Sequence, residues 1–301
     1  SKNGLIAGLA IDSFISKHSG CDRKDFIIRS KFDLLKVSKC FDIRQQDNIG
    51  KLTKIKKLYG NLHIEYDPEN SSGLEELSEL AIVVGNLSIS NSHLQTLKGL
   101  EALTSITGDL IITGNSKITS LSGLDSLANI TGNVLISDNM NLLNLNGLTS
   151  ISGTLKSLSI HGNPTLNSLE ALGDITRLYE GALEIYENPA LVNLQGLESL
   201  REVYGFRIEN NATLNSFENL QALEVVNGTI NIDGNSNLKQ EDKQKISSLE
   251  NICYGNRIFT NETELSAIQH CRIYYGDLTI SSDSEQINLD GISQIHGTLN
   301  I

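Results

Sequence analysis

Apolar residues return at a fixed phase over most of the chain, and asparagine marks that phase. Asparagines recur at intervals of 24, 24, 24, 25, 23 and 24 residues, and the first six are followed by Leu, Ile or Phe three, six and nine places later. Repetition at this period indicates a solenoid, in which each unit buries its apolar face against its neighbours. The seven asparagines are Asn91, Asn115, Asn139, Asn163, Asn188, Asn211 and Asn235.

A short apolar run precedes each asparagine and predicts a strand, and in six of the seven units glycine opens the run. In the unit that begins at Gly108, Leu110 and Ile112 fall on one face and Asp109 and Ile111 on the other. About 20 residues separate one such run from the next, which excludes a tight hairpin. The strands are therefore expected to stack in parallel from coil to coil.

The repeated asparagine is expected to point inward, where the chain turns after the strand. Its amide carries both a donor and an acceptor, so stacked copies can satisfy backbone groups of neighbouring coils. The leucines that follow at steps of three lie among prolines and glycines, and we interpret them as tight corners and short extended pieces. Together these features predict an all-β-rich solenoid of about 24-residue coils with parallel sheets.

Composition limits the classes of partner. The formal net charge of −12 argues against sequence-independent nucleic-acid binding, which requires clustered Lys and Arg. The basic stretch Lys51, Lys54, Lys56 and Lys57 is short and is interpreted as a solvated edge. No apolar run approaches the ~20 residues of a membrane span, and the stretch 5–11 is either the remnant of a signal sequence or a docking segment for the first coil.

Four cysteines form two pairs, and each pair is separated by about one coil. Solenoid stacking brings such partners together, which favours Cys21 with Cys40 and Cys253 with Cys271. Zinc ligation and free thiols are the alternatives, but no Cys-x-x-Cys spacing is present. Disulfides would place the protein in an oxidising compartment, and thus at the cell surface or outside the cell.

The run from Cys271 to Ile280, CRIYYGDLTI, resembles the opening of a receptor L domain, the ligand-binding module of the insulin and epidermal growth factor receptors. The phrases SITGDLII and NITGNVLI, and the segment NPALVNL from Asn188, are similar to coils of the same family. The resemblance implies a right-handed β-helix-like solenoid related to leucine-rich repeats. Without a cysteine-rich module between the cysteine pairs, the likeness is to the wider L-domain group, and hormone binding does not carry over.

The resemblance also implies where the chain divides. Each cysteine pair would open one L domain, and the charged stretch 239–249, with helical spacing at Ile246 and Leu249, would close the first. We therefore predict an N-terminal segment over 1–20, an L-domain-like solenoid over 21–252, and the start of a second solenoid over 253–301.

The residues do not group into an active site. The six histidines are dispersed, and phosphate loops, nucleophile elbows and zinc-protease helices are absent from the sequence. We therefore predict a protein that is not an enzyme, with no cofactor, no catalytic residues and no metal ligands.

Three functions remain after this exclusion. The leading one is an extracellular recognition or adhesion module that binds a protein or glycan on its β face. The second is a structural spacer or surface-coat component without a specific ligand, and the third is an intracellular scaffold with reduced cysteines.

Solvent-facing Tyr179, Tyr186 and Tyr204 would favour binding, whereas burial of these side chains would favour the spacer. The lengthened strand region 153–160 is interpreted as a tolerated loop, with a bulge that marks a site as the alternative. The outward residues selected for the binding face are His63, Glu65, Asp109, Glu184, Tyr186, Arg207 and Glu209.

Glycosylation sequons are about as frequent as composition alone predicts, so only their placement is informative. The sequon at Asn211 coincides with the inward asparagine and is expected to stay unmodified. The remaining candidate acceptors are Asn70, Asn86, Asn129, Asn227 and Asn261.

Overall fold

The computed structural model describes residues 25–28, 55–64, 74–226, 228–249, 252–254, 256–260, 271, 273–281, 289, 292 and 294–301. Within them the chain forms a β-solenoid of about nine coils with almost no helix, as the sequence period predicts. Each coil adds one strand to a long parallel sheet, because its apolar face can be buried only against the coils on either side.

The long sheet, which we call the main sheet, has nine parallel strands in the order of the chain, one per coil. Its strands are two to five residues long, and inward and outward side chains alternate along them. They are β1 (Asp25–Ile28), β3 (Asn61–Ile64), β5 (Leu87–Ser90), β7 (Leu110–Thr113), β9 (Val134–Ser137), β11 (Leu158–His161), β13 (Ala182–Tyr186), β15 (Gly205–Glu209) and β17 (Ile230–Asn231).

A second side of the coils carries two small parallel sheets of four strands each, which do not join. Their strands precede those of the main sheet by a tight corner at each coil. The first small sheet contains β2 (Lys57–Tyr59), β4 (Ile82–Val84), β6 (Ser105–Ile106) and β8 (Asn129–Ile130). The second contains β10 (Ser152–Leu155), β12 (Asp174–Leu178), β14 (Glu202–Val203) and β16 (Val225–Val226).

The leucines at steps of three form the remaining side of each coil. Leu77 N–H donates to the Leu74 carbonyl at 2.8 Å, and Leu80 N–H to the Leu77 carbonyl at 2.8 Å. Such i→i+3 turns have three residues per turn, so every third side chain points inward. The turns are long enough in three coils to form 3₁₀ helices, at Glu75–Leu77, Glu170–Leu172 and Glu218–Leu220.

The interior is a stack of aliphatic layers closed on one side by asparagine. In one layer Leu97, Leu100, Leu103, Ile106 and Leu110 are all fully buried. Asn115 and its five counterparts in the following coils are also fully buried. Within the described residues the buried asparagines are Asn115, Asn139, Asn163, Asn188, Asn211 and Asn235.

These asparagines form one continuous hydrogen-bonded ladder. Asn139 shows the pattern: its Nδ2 donates to the Ile112 carbonyl of the preceding coil at 3.0 Å and to Asn163 Oδ1 of the following coil at 3.1 Å. Its Oδ1 accepts from the backbone N–H of Asn115 at 3.1 Å. The ladder thus supplies partners to backbone groups that the turn would otherwise leave unpaired inside the coil.

The prediction that Asn91 is a rung of this ladder is wrong. Asn91 is exposed and has φ of 50°, whereas Ser92 is buried and donates from its N–H and Oγ to Asn115 Oδ1 at 3.0 and 2.6 Å. The first interval is therefore 23 residues instead of 24. Asn91 occupies the left-handed corner position before the rung, which glycine holds at Gly114 and Gly162.

After β17 the chain forms a helix and then new sheets. The helix expected in the charged stretch is present as α1 (Gln240–Ser247) and buries Ile246. Beyond it are two separate parallel sheets of three strands and a small second core that contains Phe259, Tyr274 and Leu278. The strands are β18 (Ile252–Tyr254), β20 (Ile273–Tyr275) and β22 (Gln294–His296) in one sheet, and β19 (Arg257–Phe259), β21 (Leu278–Ile280) and β23 (Leu299–Asn300) in the other.

Candidate functional site

The outward face of the main sheet changes in character along the solenoid. On β5, β7 and β9 its second outward column holds Ser90, Thr113 and Ser137, and Thr113 bonds Ser137 between their hydroxyls at 2.8 Å. On β11, β13 and β15 the same column holds His161, Tyr186 and Glu209. Large aromatic and charged side chains are thus collected on three adjacent strands.

Six residues on these three strands form the ring-stack cluster. Strand register places Ser159 beside Glu184 and Glu184 beside Arg207. Two residues further along the same strands, His161, Tyr186 and Glu209 lie side by side. Because neighbouring strands lie about 4.8 Å apart, side chains in one column are within contact distance. The members are Ser159, His161, Glu184, Tyr186, Arg207 and Glu209.

Three flat groups of the cluster are stacked. The His161 and Tyr186 rings have centroids 4.4 Å apart and an interplanar angle of 6°. The Arg207 guanidinium carbon lies 3.8 Å from the centre of the Tyr186 ring. A cation over a tyrosine face is attracted by the negative face of the ring. Tyr186 is therefore held by groups from both flanking strands.

Carboxylates fix the polar side of the cluster. Arg207 Nε donates to Glu209 Oε2 at 2.7 Å, and Ser159 Oγ donates to Glu184 Oε2 at 2.9 Å. The hydrogen bond that Glu209 accepts raises the pKa of Arg207, so this guanidinium stays charged. Partial burial raises the pKa of the Tyr186 phenol, an effect that the nearby Arg207 charge opposes. Tyr186 is thus neutral at neutral pH, and the charged Arg207 guanidinium lies over its ring.

The structure brings together four of the seven residues selected from the sequence for a binding face. Glu184, Tyr186, Arg207 and Glu209 meet in the ring-stack cluster. His63 lies on β3 of the same sheet, four strands away from β11. Glu65 lies outside the described residues.

Asp109 was expected to point outward from a strand, and the structure places it otherwise. It precedes β7, and its Oδ1 accepts from the N–H and Nδ2 of Asn133 at 2.7 and 2.9 Å. Asp109 N–H in turn donates to Asn86 Oδ1 at 2.8 Å. These residues form a second polar ladder at the corner before the main sheet.

Glycines precede the residues of the second ladder and make room for it. A Cβ on Gly108 would lie 2.1 Å from Asn86 Oδ1, and one on Gly132 would lie 2.4 Å from Asp109 Oδ1. Each glycine therefore leaves room for the ladder side chain of the preceding coil. The repeated Gly-Asn or Gly-Asp pair is the sequence signal of this ladder, in addition to marking the start of a strand.

Sequence reasoning also missed Ser159 and His161. His161 stands two residues before the buried Asn163, as Tyr186 and Glu209 stand two residues before theirs. That shared phase was the signal that these three side chains meet.

The proposed glycosylation acceptors differ in their surroundings. Asn129 is exposed, whereas Asn86 belongs to the second ladder and its N–H and Oδ1 are both hydrogen-bonded. Asn211 is fully buried in the asparagine ladder, so its side chain is inaccessible. Three acceptors, Asn70, Asn227 and Asn261, lie outside the described residues.

The cysteine predictions fall mostly outside the described residues, which exclude Cys21 and Cys40 and the side chain of Cys253. Cys271 is fully buried and does not carry a free thiol. Strand register places Cys253 opposite Tyr274, three residues after Cys271. Both predicted pairings stay predictions.

In the described part of the chain, no group of three His, Cys, Asp or Glu residues could hold a metal ion. In the same ranges no helix has the length and apolar character needed to cross a bilayer.

One known family has a sequence profile that matches the repeated coils. Two overlapping stretches, 56–144 and 104–194, match the sequence profile of the Receptor L domain family, offset from each other by about two coils. The matched range spans most of both polar ladders and includes Ser159, His161, Glu184 and Tyr186. A comparison with curated proteins gave no match. Over residues 56–194 the chain is therefore similar to the receptor L-domain family, a likeness that points to a receptor-type ligand-binding module.

Proposed function

We propose that this protein is a non-enzymatic, extracellular recognition module that binds a protein or glycan partner on the outward face of its main sheet. Similarity to a ligand-binding domain family supports binding as the general activity. The cell-surface or secreted location rests on the occurrence of such domains in receptor ectodomains and on the predicted disulfides. The division of the chain at 252/253 belongs to the same proposal.

The ring-stack cluster is the observation that carries the proposal. Exposed Tyr and Arg side chains supply a large share of the free energy in many interfaces. Here Tyr186 is held between His161 and Arg207, and Arg207 is in turn held by Glu209. Side chains that are already ordered lose little conformational entropy when a partner binds. The cluster is thus a preorganised contact surface on a rigid sheet.

The geometry of the cluster does not favour catalysis. Ser159 donates to Glu184, and the His161 ring stacks on Tyr186, so the hydroxyl and the imidazole have different partners. Within the described residues no hydrogen bond joins Ser159 to His161, which a nucleophile and its base would require. These contacts support recognition instead of bond cleavage.

A spacer without a ligand is the alternative function. It predicts an evenly polar surface, but Tyr179 and Tyr204 are 40% and 56% exposed and Tyr186 is partly exposed. Aromatic side chains left in solvent are typical of interaction surfaces. The tyrosines therefore favour binding over the spacer.

The test is a binding screen of the secreted chain against arrayed glycans and arrayed extracellular protein domains. Any binder is then tested against Tyr186→Ala and Arg207→Ala. Matched controls are Tyr275→Ala and Arg201→Ala, which change an exposed tyrosine stacked on His296 and an ion-paired arginine, both outside the main-sheet strands. We expect the cluster variants to weaken binding at least about tenfold, the effect of a typical central contact, and the controls to weaken it less than about twofold.

Two outcomes would count against the proposal. If no arrayed molecule binds the folded chain, the spacer function is favoured. If binders are found but the cluster variants and their controls bind equally well, the site lies elsewhere on the protein. Thermal unfolding of each variant shows whether a loss of binding reflects a loss of fold.

A further inference from the structure

The two small sheets are interrupted between β8 and β10, beside a local change in backbone geometry. Gly153 has φ of 77°, and the pairing of β10 with β12 shifts register between Gly153 and Thr154. A bulge of this kind displaces a strand relative to its neighbours. Within residues 74–226 no backbone hydrogen bond joins β8 to β10.

The interruption leaves acceptors without their usual donors. One coil earlier, the carbonyls of Thr104 and Ile106 accept from Asn129 and Thr131 N–H at 3.1 and 3.2 Å. The corresponding carbonyls on the β8 side, at Ala128 and Ile130, receive no donor from β10. The edge of the first small sheet is therefore open at this coil.

A cavity of about 420 Å³ lies at the open edge, lined by β8, β10 and Tyr179. Its volume is within the range of small-ligand sites. Tyr179 is 40% exposed, and its hydroxyl reaches back two coils to donate to the Thr131 carbonyl at 3.3 Å. A Cβ on Gly153 would meet no atom within 4 Å, which shows how open this side of the cavity is.

Asn129 lines the same cavity and begins the sequence Asn129-Ile130-Thr131, an acceptor for N-linked glycosylation. Its side chain is exposed and makes no hydrogen bond within the described residues. In contrast, Asn86 is hydrogen-bonded in the second ladder and Asn211 is buried. Among the acceptors whose side chains the structure describes, Asn129 alone combines exposure with an unbonded amide.

We propose that Asn129 carries an N-linked glycan and that its first N-acetylglucosamine lies in this cavity against the Tyr179 ring. A sugar presents an apolar C–H face that can pack on an aromatic ring. Its acetamido N–H supplies a donor of the kind that the Ala128 and Ile130 carbonyls lack. The glycan would also cover the open sheet edge, which otherwise invites pairing with another chain.

The attachment is a group transfer from a polyprenyl-pyrophosphate-linked oligosaccharide. The Asn129 Nδ2 atom forms a bond to C1 of the first sugar and loses one proton. The bond between C1 and the pyrophosphate oxygen breaks, and the lipid pyrophosphate leaves with the bonding electrons. Because this transfer occurs in the secretory pathway, the inference rests on the extracellular location within the proposed function.

The test uses the full chain secreted from eukaryotic cells behind a signal peptide. Glycopeptide mass spectrometry measures occupancy of Asn129, with Asn129→Gln as the unglycosylated reference. Release of the glycan from the native protein by a peptide N-glycosidase then measures how well the first sugar is covered. We expect Tyr179→Ala to speed this release about fivefold, the size of one aromatic contact.

A matched control moves the acceptor by one coil. Ser105 pairs with Asn129 between β6 and β8 and is followed by Ile106 and Thr107. Ser105→Asn combined with Asn129→Gln therefore creates the same acceptor sequence on a strand that is paired on both sides. Release from that site is expected to be fast and to stay unchanged by Tyr179→Ala.

The outcomes separate this inference from the proposed function. An unoccupied Asn129, or release that Tyr179→Ala does not change, overturns the glycan site. Equal acceleration at both positions also overturns it, because the tyrosine would then act through general stability. Ligand binding through the ring-stack cluster is measured independently with Tyr186→Ala and is unaffected by these results.

Discussion

Asn139 Oδ1 accepts two hydrogen bonds from Asn115 of the preceding coil, one from its backbone N–H at 3.1 Å and one from its Nδ2 at 3.0 Å. The same arrangement joins Asn139 to Asn163, with distances of 3.1 and 3.1 Å. Each asparagine side chain thus accepts hydrogen bonds from the asparagine of the preceding coil and donates one to the asparagine of the following coil. Removing one rung exposes several buried groups at once.

We predict that Asn139→Ala lowers the free energy of unfolding by about 3 kcal/mol or more, because it leaves the Asn115 N–H, the Asn115 Nδ2 and the Ile112 carbonyl short of partners. Chemical denaturation measures the change. The control is Asn141→Ala, which removes an exposed bond to the Ser116 carbonyl and should cost no more than about 1 kcal/mol. Similar losses in the two variants would contradict the ladder.

Asn91→Gly tests the corrected phase of the first rung. Asn91 has φ of 50° at a corner that other coils fill with glycine, so we expect stability to change by less than about 0.5 kcal/mol. Ser92→Ala, which removes the bond from Oγ to Asn115, should cost about 1 kcal/mol. A larger loss for Asn91→Gly than for Ser92→Ala in denaturant titrations would restore Asn91 as the rung.

Gly108→Ala tests the second polar ladder. The added Cβ would lie 2.1 Å from Asn86 Oδ1 and 2.8 Å from the Gly85 carbonyl oxygen, so the corner must shift. We expect a loss of about 2 kcal/mol, typical of overpacking. Gly173→Ala is the matched control, since its nearest atom would be 3.6 Å away and its φ of −59° suits alanine. A neutral Gly108→Ala in thermal unfolding would contradict the close approach.

The pKa of the Tyr186 phenol is expected to lie above its ordinary value. Substitution of its charged neighbours should move this pKa in opposite directions. Burial raises this pKa, Arg207 lowers it and Glu184 raises it. Arg207→Ala should therefore raise the pKa further, and Glu184→Gln should lower it. Ultraviolet difference titration against Tyr186→Phe isolates this phenol from the other tyrosines. Shifts opposite to these directions would show that the charges are not placed as described.

The same pKa shift has a consequence for stability. A folded-state pKa raised above the unfolded value means that the native state holds its proton more tightly. The contribution is present below the unfolded pKa and is lost as pH rises through the folded pKa. Stability attributable to Tyr186 should thus decline only in alkaline solution. Tyr186→Phe should show a smaller decline over the same pH range.

The cysteine pairing is tested by mass spectrometry of peptides from the unreduced protein. We predict a disulfide between Cys253 and Cys271, with Cys271 buried at its end of the link. Closing a loop of this length stabilises a fold by about 3 kcal/mol, so Cys253→Ser with Cys271→Ser should destabilise the second array by that order. Four free thiols would overturn the pairing and the oxidising compartment inferred from it.

The sequence predicted the coil length, the parallel stacking and six of the seven asparagine rungs because these features repeat. An inward Leu or Ile at a fixed phase is visible in every unit, and so is the asparagine at the turn. The α1 helix was also visible, through the spacing of Ile246 and Leu249. The leucines at steps of three were interpreted as corners and short extended pieces, and they form turns of three residues that become 3₁₀ helices in three coils.

Features that do not repeat were less accessible. Coil length varies by one residue, and a shift of one residue moves a side chain to the other face of a strand. The buried rung is Ser92, one residue after Asn91, and Asp109 lies one residue before β7 begins, in the second polar ladder. The lengthened region 153–160 is visible in the sequence, which favours a tolerated loop over a bulge that marks a site. Only the structure shows the register shift between Gly153 and Thr154 and the cavity beside it.

The sequence by itself determined that this chain is a solenoid, since a period of about 24 residues with a buried asparagine leaves each unit only its neighbours to pack against. Tertiary structure decided which outward residues meet. His161, Tyr186 and Arg207 are separated by one coil each along the chain, and their stack depends on strand register between coils. Register is set by the packing of the interior layers, so the contact surface follows from the core beneath it.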